Sequence, residues 1–354
     1  MKRLSKIREI LFASCFLLIS SNVLNAQIDE LGKFIAGGKD DGTKLFGAYL
    51  KPWTNGFGHD LNAGWYHTAK PHKLWGFDIN FSASAAFVPN YDKSYDASKL
   101  NLTGHLTAGP NGMMASTVAG KDDVGPTITY TLIGQSASYS LPKGTNISVV
   151  PSPMFQVGIG LIKHTELALR YIPNVPLGSA GNLNMWGVAV KHDVMQWLPI
   201  VDRVPFLHIS VMGGYTRLNT SVDMNVTPDD LGIVYVYDPA TYENQSLKFD
   251  VQSFTFNALA SIDIPVLTVF MGAGISNTKT NLDLIGNYPT PTATNPGAFT
   301  RDPLSITLKG KDGNTTKPRI SAGLKIKMGP VHLFGEYTYA NYSLATAGLA
   351  VSIR

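Results

Sequence analysis

Eight histidines carry most of the chemical reach of this 354-residue chain. His59, His67 and His72 lie close together, and "GWYHTAKPHK" holds two of them. Histidine-based zinc sites announce themselves as i,i+4 pairs, as HExxH or with cysteine partners, and none of these patterns occurs. If Leu61–Ala69 is a strand, His67 lies on its apolar face with Trp65, and His72 falls in the following turn. His192 and Asp193 are neighbours. On a strand neighbours point to opposite faces, so they cannot act as base and orienting acid. No GxSxG elbow, phosphate loop or dinucleotide fingerprint is present. "GAGISN" and "GGYT" are glycine-rich, but they read as strand, where Gly marks close packing or a kink. The expectation is no catalytic residue, no metal ligand and no cofactor.

The elements that would have to position any site are strands. In "RISAGLKIKM", Ile320, Ala322, Leu324, Ile326 and Met328 share one face of an extended segment; Arg319, Ser321, Gly323, Lys325 and Lys327 share the other. The alternation recurs in "WGFDINFSASAAF", "FQVGIGL", "HTELALRY", "LHISVMGGY", "FTFNALASI", "LTVFMGAGI", "VHLFGEYTYANY" and "LATAGLAVSIR". About 11 such strands are legible, many of a length that crosses a membrane when tilted. Tight turns at Ile162–Lys163, Asp263–Pro265 and Gly329–Pro330 alternate with long polar segments near 89–126, 219–249 and 277–317. Asn341–Leu344 is the short exception on the long-loop side. That asymmetry fits a transmembrane barrel with short periplasmic turns and long external loops. The charges of Glu166, Arg170, Lys325, Lys327 and Glu336 then fall inside, and the apolar faces meet lipid. Closure requires an even number of strands, so one must be hidden, in "PTITYTLIGQSASYS" or near "FGAYLKPW". The fold class expected is all-β, an antiparallel transmembrane barrel of about 12–14 strands, residues 59–354. Tyr171, Trp186, Tyr215, Tyr337, Tyr339 and Tyr342 are placed to form its interfacial girdle.

The N-terminus reads as an address. Lys2, Arg3, Lys6 and Arg8 precede the apolar "ILFASCFLLIS", and small and polar residues follow, the order of a signal peptide cut after Ala26. "FASC" resembles a lipoprotein box, but too little apolar chain precedes Cys15 and "FLLIS" follows it. Cys15 is the sole cysteine, so the mature chain holds no disulfide or thiolate site. Removing residues 1–26 takes four basic residues and one acid from totals of 29 and 25, leaving 25 against 24. That balance provides no basic patch for nucleic acid. Charged residues make up 15% of the chain, below the usual quarter. Residues 27–58 form a separate piece. Leu31, Phe34 and Ile35 have helical spacing, as do Leu45, Phe46 and Tyr49; Gly37–Gly38 breaks the first short helix and Pro52 ends the second. These helices either plug the lumen or dock at the periplasmic end. If they enter the lumen, Phe34, Phe46, Trp53 and Phe57 are the candidate ligand-binding residues, lining an apolar pocket for a lipid-like or aromatic molecule. A third short piece, "QWLPIVDRVP", suggests a half-turn at the periplasmic interface.

The stretch "NMWGVAVKHDVMQWLP", followed by "FLHISVMGGYT", the signal, the helical N-terminus and the Gly-rich strands together resemble a family of uncharacterised outer-membrane proteins. That family is similar in layout to the long-chain fatty-acid transporter barrels. The resemblance implies a 14-stranded barrel with an N-terminal hatch that passes hydrophobic molecules sideways into the membrane; no ligand residue carries over. The expected function is passive uptake of hydrophobic small molecules across the outer membrane of a Gram-negative bacterium. The expected partners are membrane lipid, the assembly machinery and a hydrophobic ligand. Alternatives are a non-transporting barrel with adhesive or structural loops and an outer-membrane esterase or phospholipase.

Overall fold

The computed structural model describes residues 31–132, 135–176, 181–197, 206–231, 236–290, 298–308 and 316–353. The N-terminal stretch read above as a signal peptide, with Cys15, and most of "QWLPIVDRVP" lie outside these residues.

Ten of the described strands close into one barrel: β1 (Phe77–Phe87), β2 (Val149–Leu161), β3 (Thr165–Pro176), β4 (Asn182–Asp193), β5 (Leu207–Met224), β6 (Gln245–Asp263), β7 (Leu267–Ile285), β8 (Thr316–Met328), β9 (Val331–Tyr339) and β10 (Leu344–Ile353). Each pairs antiparallel with its neighbours in sequence, and β1 pairs with β10 in register Phe77↔Ile353 to Ala86↔Leu344. The all-β transmembrane architecture expected from the alternation is therefore present, with an even strand count of ten. The expected 12–14 is too high for a physical reason. "PTITYTLIGQSASYS" does form a hairpin, Thr127–Leu132 with Gln135–Ser140, but it pairs with His105–Thr107 outside the barrel wall. "FGAYLKPW" is helical.

The alternation sorts side chains into two environments. Outward positions form a continuous apolar belt: Ile79 and Phe81 on β1, Leu167 and Leu169 on β3, Phe254 and Phe256 on β6, Val269, Met271 and Ile275 on β7, Ile320, Leu324 and Ile326 on β8. On β7 the belt runs from Leu267 to Ile275, which at about 3.3 Å per residue and a tilt near 40° is roughly 20 Å tall. Tyr171, Trp186, Tyr337 and Tyr339 stand exposed near one margin, with the half-buried Tyr215 beside Trp186 (ring centroids 5.4 Å apart). Trp75, Trp197 and Phe206 stand exposed at the other. Tyr342, expected in this girdle, is instead buried, and its hydroxyl donates to Asp92 Oδ2 at 2.6 Å. Inward positions are polar and buried, among them Asn80, Ser84, Gln156, Glu166, Arg170, Lys191, Asn257, Arg319, Lys325 and Glu336.

The N-terminal piece differs from expectation. A 3-10 turn, Gly32–Gly37, leads into one long helix, α1 (Gly38–Asp60), which passes through Pro52 without stopping. Pro52 removes the hydrogen bond to the Ala48 carbonyl. Pro52 is itself buried, so tertiary packing overrides the local break. The helix begins at the long-loop end, and its buried side chains Leu45, Phe46 and Tyr49 join Ile128, Leu141, Val226, Leu247, Leu282, Leu284, Tyr288 and Leu304 in a core above the belt. Strands β5, β6 and β7 extend past the belt to supply the inner wall of that core. Asp41 anchors the helix start: it accepts from the Thr103 N–H and hydroxyl at 2.8 Å and from the Tyr130 hydroxyl at 2.9 Å. Burial and the Asp41 charge push the Tyr130 phenol up, which keeps it a donor. At the lower end of α1, a Cβ on Gly56 or Gly58 would collide with Val150 or Thr278 of the wall.

The two faces of β8 give a direct test. Leu324→Asp places a charge on the lipid side, where cations cost about 2–4 kcal/mol at mid-membrane and acids somewhat less. Lys325→Ser changes only the interior. In guanidinium unfolding from phospholipid vesicles the first variant should lose stability and the second should stay near wild type; equal loss would contradict a lipid-facing belt.

Candidate functional site

Between α1 and β1 the chain descends through the lumen as an irregular segment, residues 61–76. Apart from Trp75 and Gly76, which bond to the backbone of Gly160, it makes no sheet ladder. Its polar groups are met by side chains of the wall, which is why the strand considered for Leu61–Ala69 does not form. Arg170 donates to the carbonyls of Leu61 (3.1 Å) and Ala63 (2.6 Å), and Arg319 donates to the carbonyl between them, of Asn62. Gln156 donates to the Trp65 carbonyl at 3.1 Å and in turn accepts from Arg170 Nε at 3.0 Å. The Arg170 guanidinium lies 3.6 Å from the centre of the Trp65 ring. Arg319 is balanced by Glu336 at 3.7 Å. Lower down, Ser210 donates to the Ala69 carbonyl, and the Tyr66 hydroxyl meets Ser321 at 2.6 Å.

Nearer the short-turn end a charged latch closes the segment. His67 Nε2 lies 3.2 Å from Asp78, His72 Nδ1 lies 2.8 Å from Glu166, and Lys191 Nζ lies 3.0 Å from the other oxygen of Glu166. His72, Asp78 and Glu166 bring one ligand atom each within 4.8 Å of one another, a grouping that histidine spacing in sequence did not disclose because two members sit on separate strands. The Lys191 ammonium already supplies positive charge there, so the geometry is that of a latch between plug and wall. His192 and Asp193 point apart: His192 meets Thr165 at 2.8 Å and Asp193 accepts from the Met195 N–H.

The four candidate ligand-binding residues lie along α1 and the turn before it. Phe34 and Phe46 are fully buried in the external core, edge to face at 5.2 Å. Trp53 packs at the junction of that core with the cluster around Ala86, Val150 and Tyr342. Phe57 reaches two clusters, the second of which lies inside the wall and comprises Leu61, Met154, Ile172, Leu183, Met185, Leu218 and Val251. The structure therefore separates Phe34 and Phe46, in the cap, from Phe57, at an apolar patch of the lumen.

That patch sits behind a break in the wall. β2 and β3 pair only from Leu161↔Thr165 to Gln156↔Arg170, although both strands continue upward. Above the last pair, β2 carries Pro151 and Pro153, and β3 carries Pro173 inside an irregularity between Ile172 and Val175. The ladder of β2 with β1 runs unbroken through Pro151↔Ala85 and Pro153↔Ala83. The donor positions that proline vacates are thus the ones turned toward β3, and proline is tolerated in sheets only on such an edge. Met154 and Ile172, facing inward beside the seam, are both buried in the apolar patch. No single residue marks this site in sequence; the three prolines within otherwise clean strands are the available signal.

Replacing Arg170 with Met strips the donor from two buried carbonyls, each worth about 1–3 kcal/mol. Amides of the segment from Leu61 to Gly76 should then exchange with deuterium at least about tenfold faster, as opening that segment becomes easier. Unchanged exchange would mean that the latch alone holds the plug.

Among solved structures, the chain is similar to Ail of Yersinia pestis, with 10% identity over 79% of this chain and 98% of that one and a TM-score of 0.24. Neisserial surface protein A matches with 12% identity over 78% and 97%, TM-score 0.22. A deletion mutant of the monoaromatic hydrocarbon channel TodX matches with 10% identity over 78% and 67%, TM-score 0.25. No curated protein matches the chain. Over residues 1–353 the sequence fits one described family, and the chain belongs to it: the family of unknown function DUF6588.

Proposed function

We propose that this protein is a Gram-negative outer-membrane barrel that passes hydrophobic small molecules sideways, through its wall, into the membrane. The observation that carries the reading is the proline-lined seam between β2 and β3, backed on the lumen side by the apolar patch of Met154, Ile172, Met185, Leu218 and Val251. In lipid every backbone group needs a partner, so a wall normally zips completely. A seam held open by residues that cannot donate is costly unless something uses it. The straight route down the lumen is filled by residues 61–76 and crossed by two arginines, which disfavours a general porin. Phe57 and Leu61, at the foot of α1, are the groups an apolar solute would meet first behind the seam.

In this reading the protein is not an enzyme and needs no cofactor. Its partners are membrane lipid, the machinery that inserts such barrels and an apolar ligand, with no nucleic acid. The fatty-acid-transporter layout noted above offers a functional analogy. An adhesive role would rest on the external cap alone and would be indifferent to the seam.

Cross-linking tests the route. Phe155 and Tyr171 are the next opposed positions above Gln156↔Arg170. In a Cys15→Ser background, Phe155→Cys with Tyr171→Cys should, when oxidised, abolish uptake of an apolar fluorescent solute into proteoliposomes, and reduction should restore it. The control pair Val157→Cys with Leu169→Cys, where the strands are already paired, should leave uptake unchanged. Uptake that ignores the seam disulfide would sink the lateral route.

A further inference from the structure

We propose that the outward face of β4, β5 and β6 just above the belt is a binding site for the sugar headgroup of a glycolipid in the surrounding leaflet. The proposal rests on the transmembrane-barrel reading and is independent of transport. Three outward aromatic residues end the belt here: Trp186 on β4, Tyr215 on β5 and Phe254 on β6. One outward position higher, the chemistry changes abruptly to Asn184, Arg217 and Gln252, followed by Asn182, Asn219 and Asp250. A groove of about 560 Å³ opens at this level.

The lining favours hydroxyl groups. Four asparagines contribute, Asn174, Asn182, Asn184 and Asn219, each able to donate and accept. Arg217 and Asp250 form a planar double hydrogen bond with both contacts at 2.9 Å, which presents donors and acceptors side by side. Asn219 donates to Asn184 at 3.3 Å, aligning the two amides. Arg217 and Lys248 are balanced by Asp250 and Asp283, so the groove has no net charge to select a bare phosphate. A merely solvated strand face would be expected to carry scattered lysine and glutamate. The inner faces of the same strand segments pack through Leu218, Leu247, Val251 and Leu282 against α1 and the segment that follows it, which makes the groove a rigid shelf.

The membrane, not free solution, is the source this geometry selects. A lipid whose chains lie along the belt below Trp186 and Tyr215 delivers its first sugars directly to Asn184, Arg217 and Asn219. Aromatic rings beneath polar groups also suit the two sides of a sugar ring, apolar faces and hydroxyl rim.

The test uses the full chain in detergent. It is equilibrated with equal amounts of an acylated diglucosamine lipid bearing a core oligosaccharide and of phosphatidylglycerol, and bound lipid is counted by native mass spectrometry. Wild type should retain the glycolipid in preference by about tenfold, and Asn184→Leu with Asn219→Leu should erase the preference while the heat-modifiable mobility of the folded barrel persists. Arg217→Gln with Asp250→Asn, which keeps the pair polar and without net charge, should weaken it in the same direction. Equal retention by wild type and both variants overturns the site. Competition by the deacylated oligosaccharide as strong as by the intact lipid overturns the membrane source. Because no solute transport is read, failure here leaves the seam reading standing, and failure of the seam cross-link leaves this one standing.

Discussion

The two buried arginines of the lumen are the constraint from which the rest of the structure follows. Arg170 and Arg319 reach three consecutive carbonyls, Leu61, Asn62 and Ala63. A guanidinium taken out of water is tolerated only when its donors are met and its charge is balanced. Here the plug backbone supplies acceptors, Trp65 a π face and Glu336 a countercharge. The dependence is mutual. The plug has no ladder of its own, and without the arginines its carbonyls would be buried without donors. A ten-stranded barrel is wider than the eight-stranded kind that side chains alone can fill, so an internal polypeptide is the physical answer to the space.

The molecule balances two solvents and therefore has two kinds of interior. At membrane depth the lumen is mostly polar, because the apolar half of each strand is committed to lipid. Above the belt the rule reverses: β5, β6 and β7 turn Leu247, Val251, Leu282 and Leu284 inward, and α1 packs many of its apolar side chains against such groups. The conventional hydrophobic core thus lies in the cap. This explains why the N-terminal helix sits at the long-loop end and not at the periplasmic rim: there the wall offers it its most extensive apolar partner. The glycines at 56 and 58 let its last turns enter the mouth of the barrel at close range.

The seam belongs to the same balance. A barrel normally has no edge, yet the upper half of β2 behaves as one on its β3 side. Its prolines share the strand parity of Phe155 and Val157, Pro151 half-buried and Pro153 buried, and they interrupt the donors of one side while sparing the ladder with β1. The lumen holds two apolar clusters, one of Ala168, Ala189, Met212, Leu259 and Phe270 around Trp65 and Tyr66, the other the patch from Met154 to Val251, and it is the second that borders the prolines.

Sequence alone determined the class of the fold and the sidedness of its strands. A period of two over ten-residue stretches, with Lys325 and Leu324 on opposite faces, can be satisfied in few ways, and the short-turn and long-loop asymmetry selects a transmembrane barrel among them. It also marked the N-terminal piece as helical and separate. It did not determine the strand count, because a period of two is the same in a barrel strand and in the external hairpin at 127–140. Nor did it find the plug proper, since Leu61–Ala69 has no periodicity and is shaped by partners more than ninety residues away, Arg170 and Arg319. The candidate residues Phe34, Phe46, Trp53 and Phe57 were legible as aromatics outside the strands, but which core each joins, with Phe34 and Phe46 buried and Trp53 and Phe57 only partly so, is a matter of where α1 docks. The latch of His67, His72, Asp78, Glu166 and Lys191 and the seam between β2 and β3 exist only once closure of the sheet brings distant strands together. Local pattern sets which way a side chain points; only tertiary structure decides what it meets.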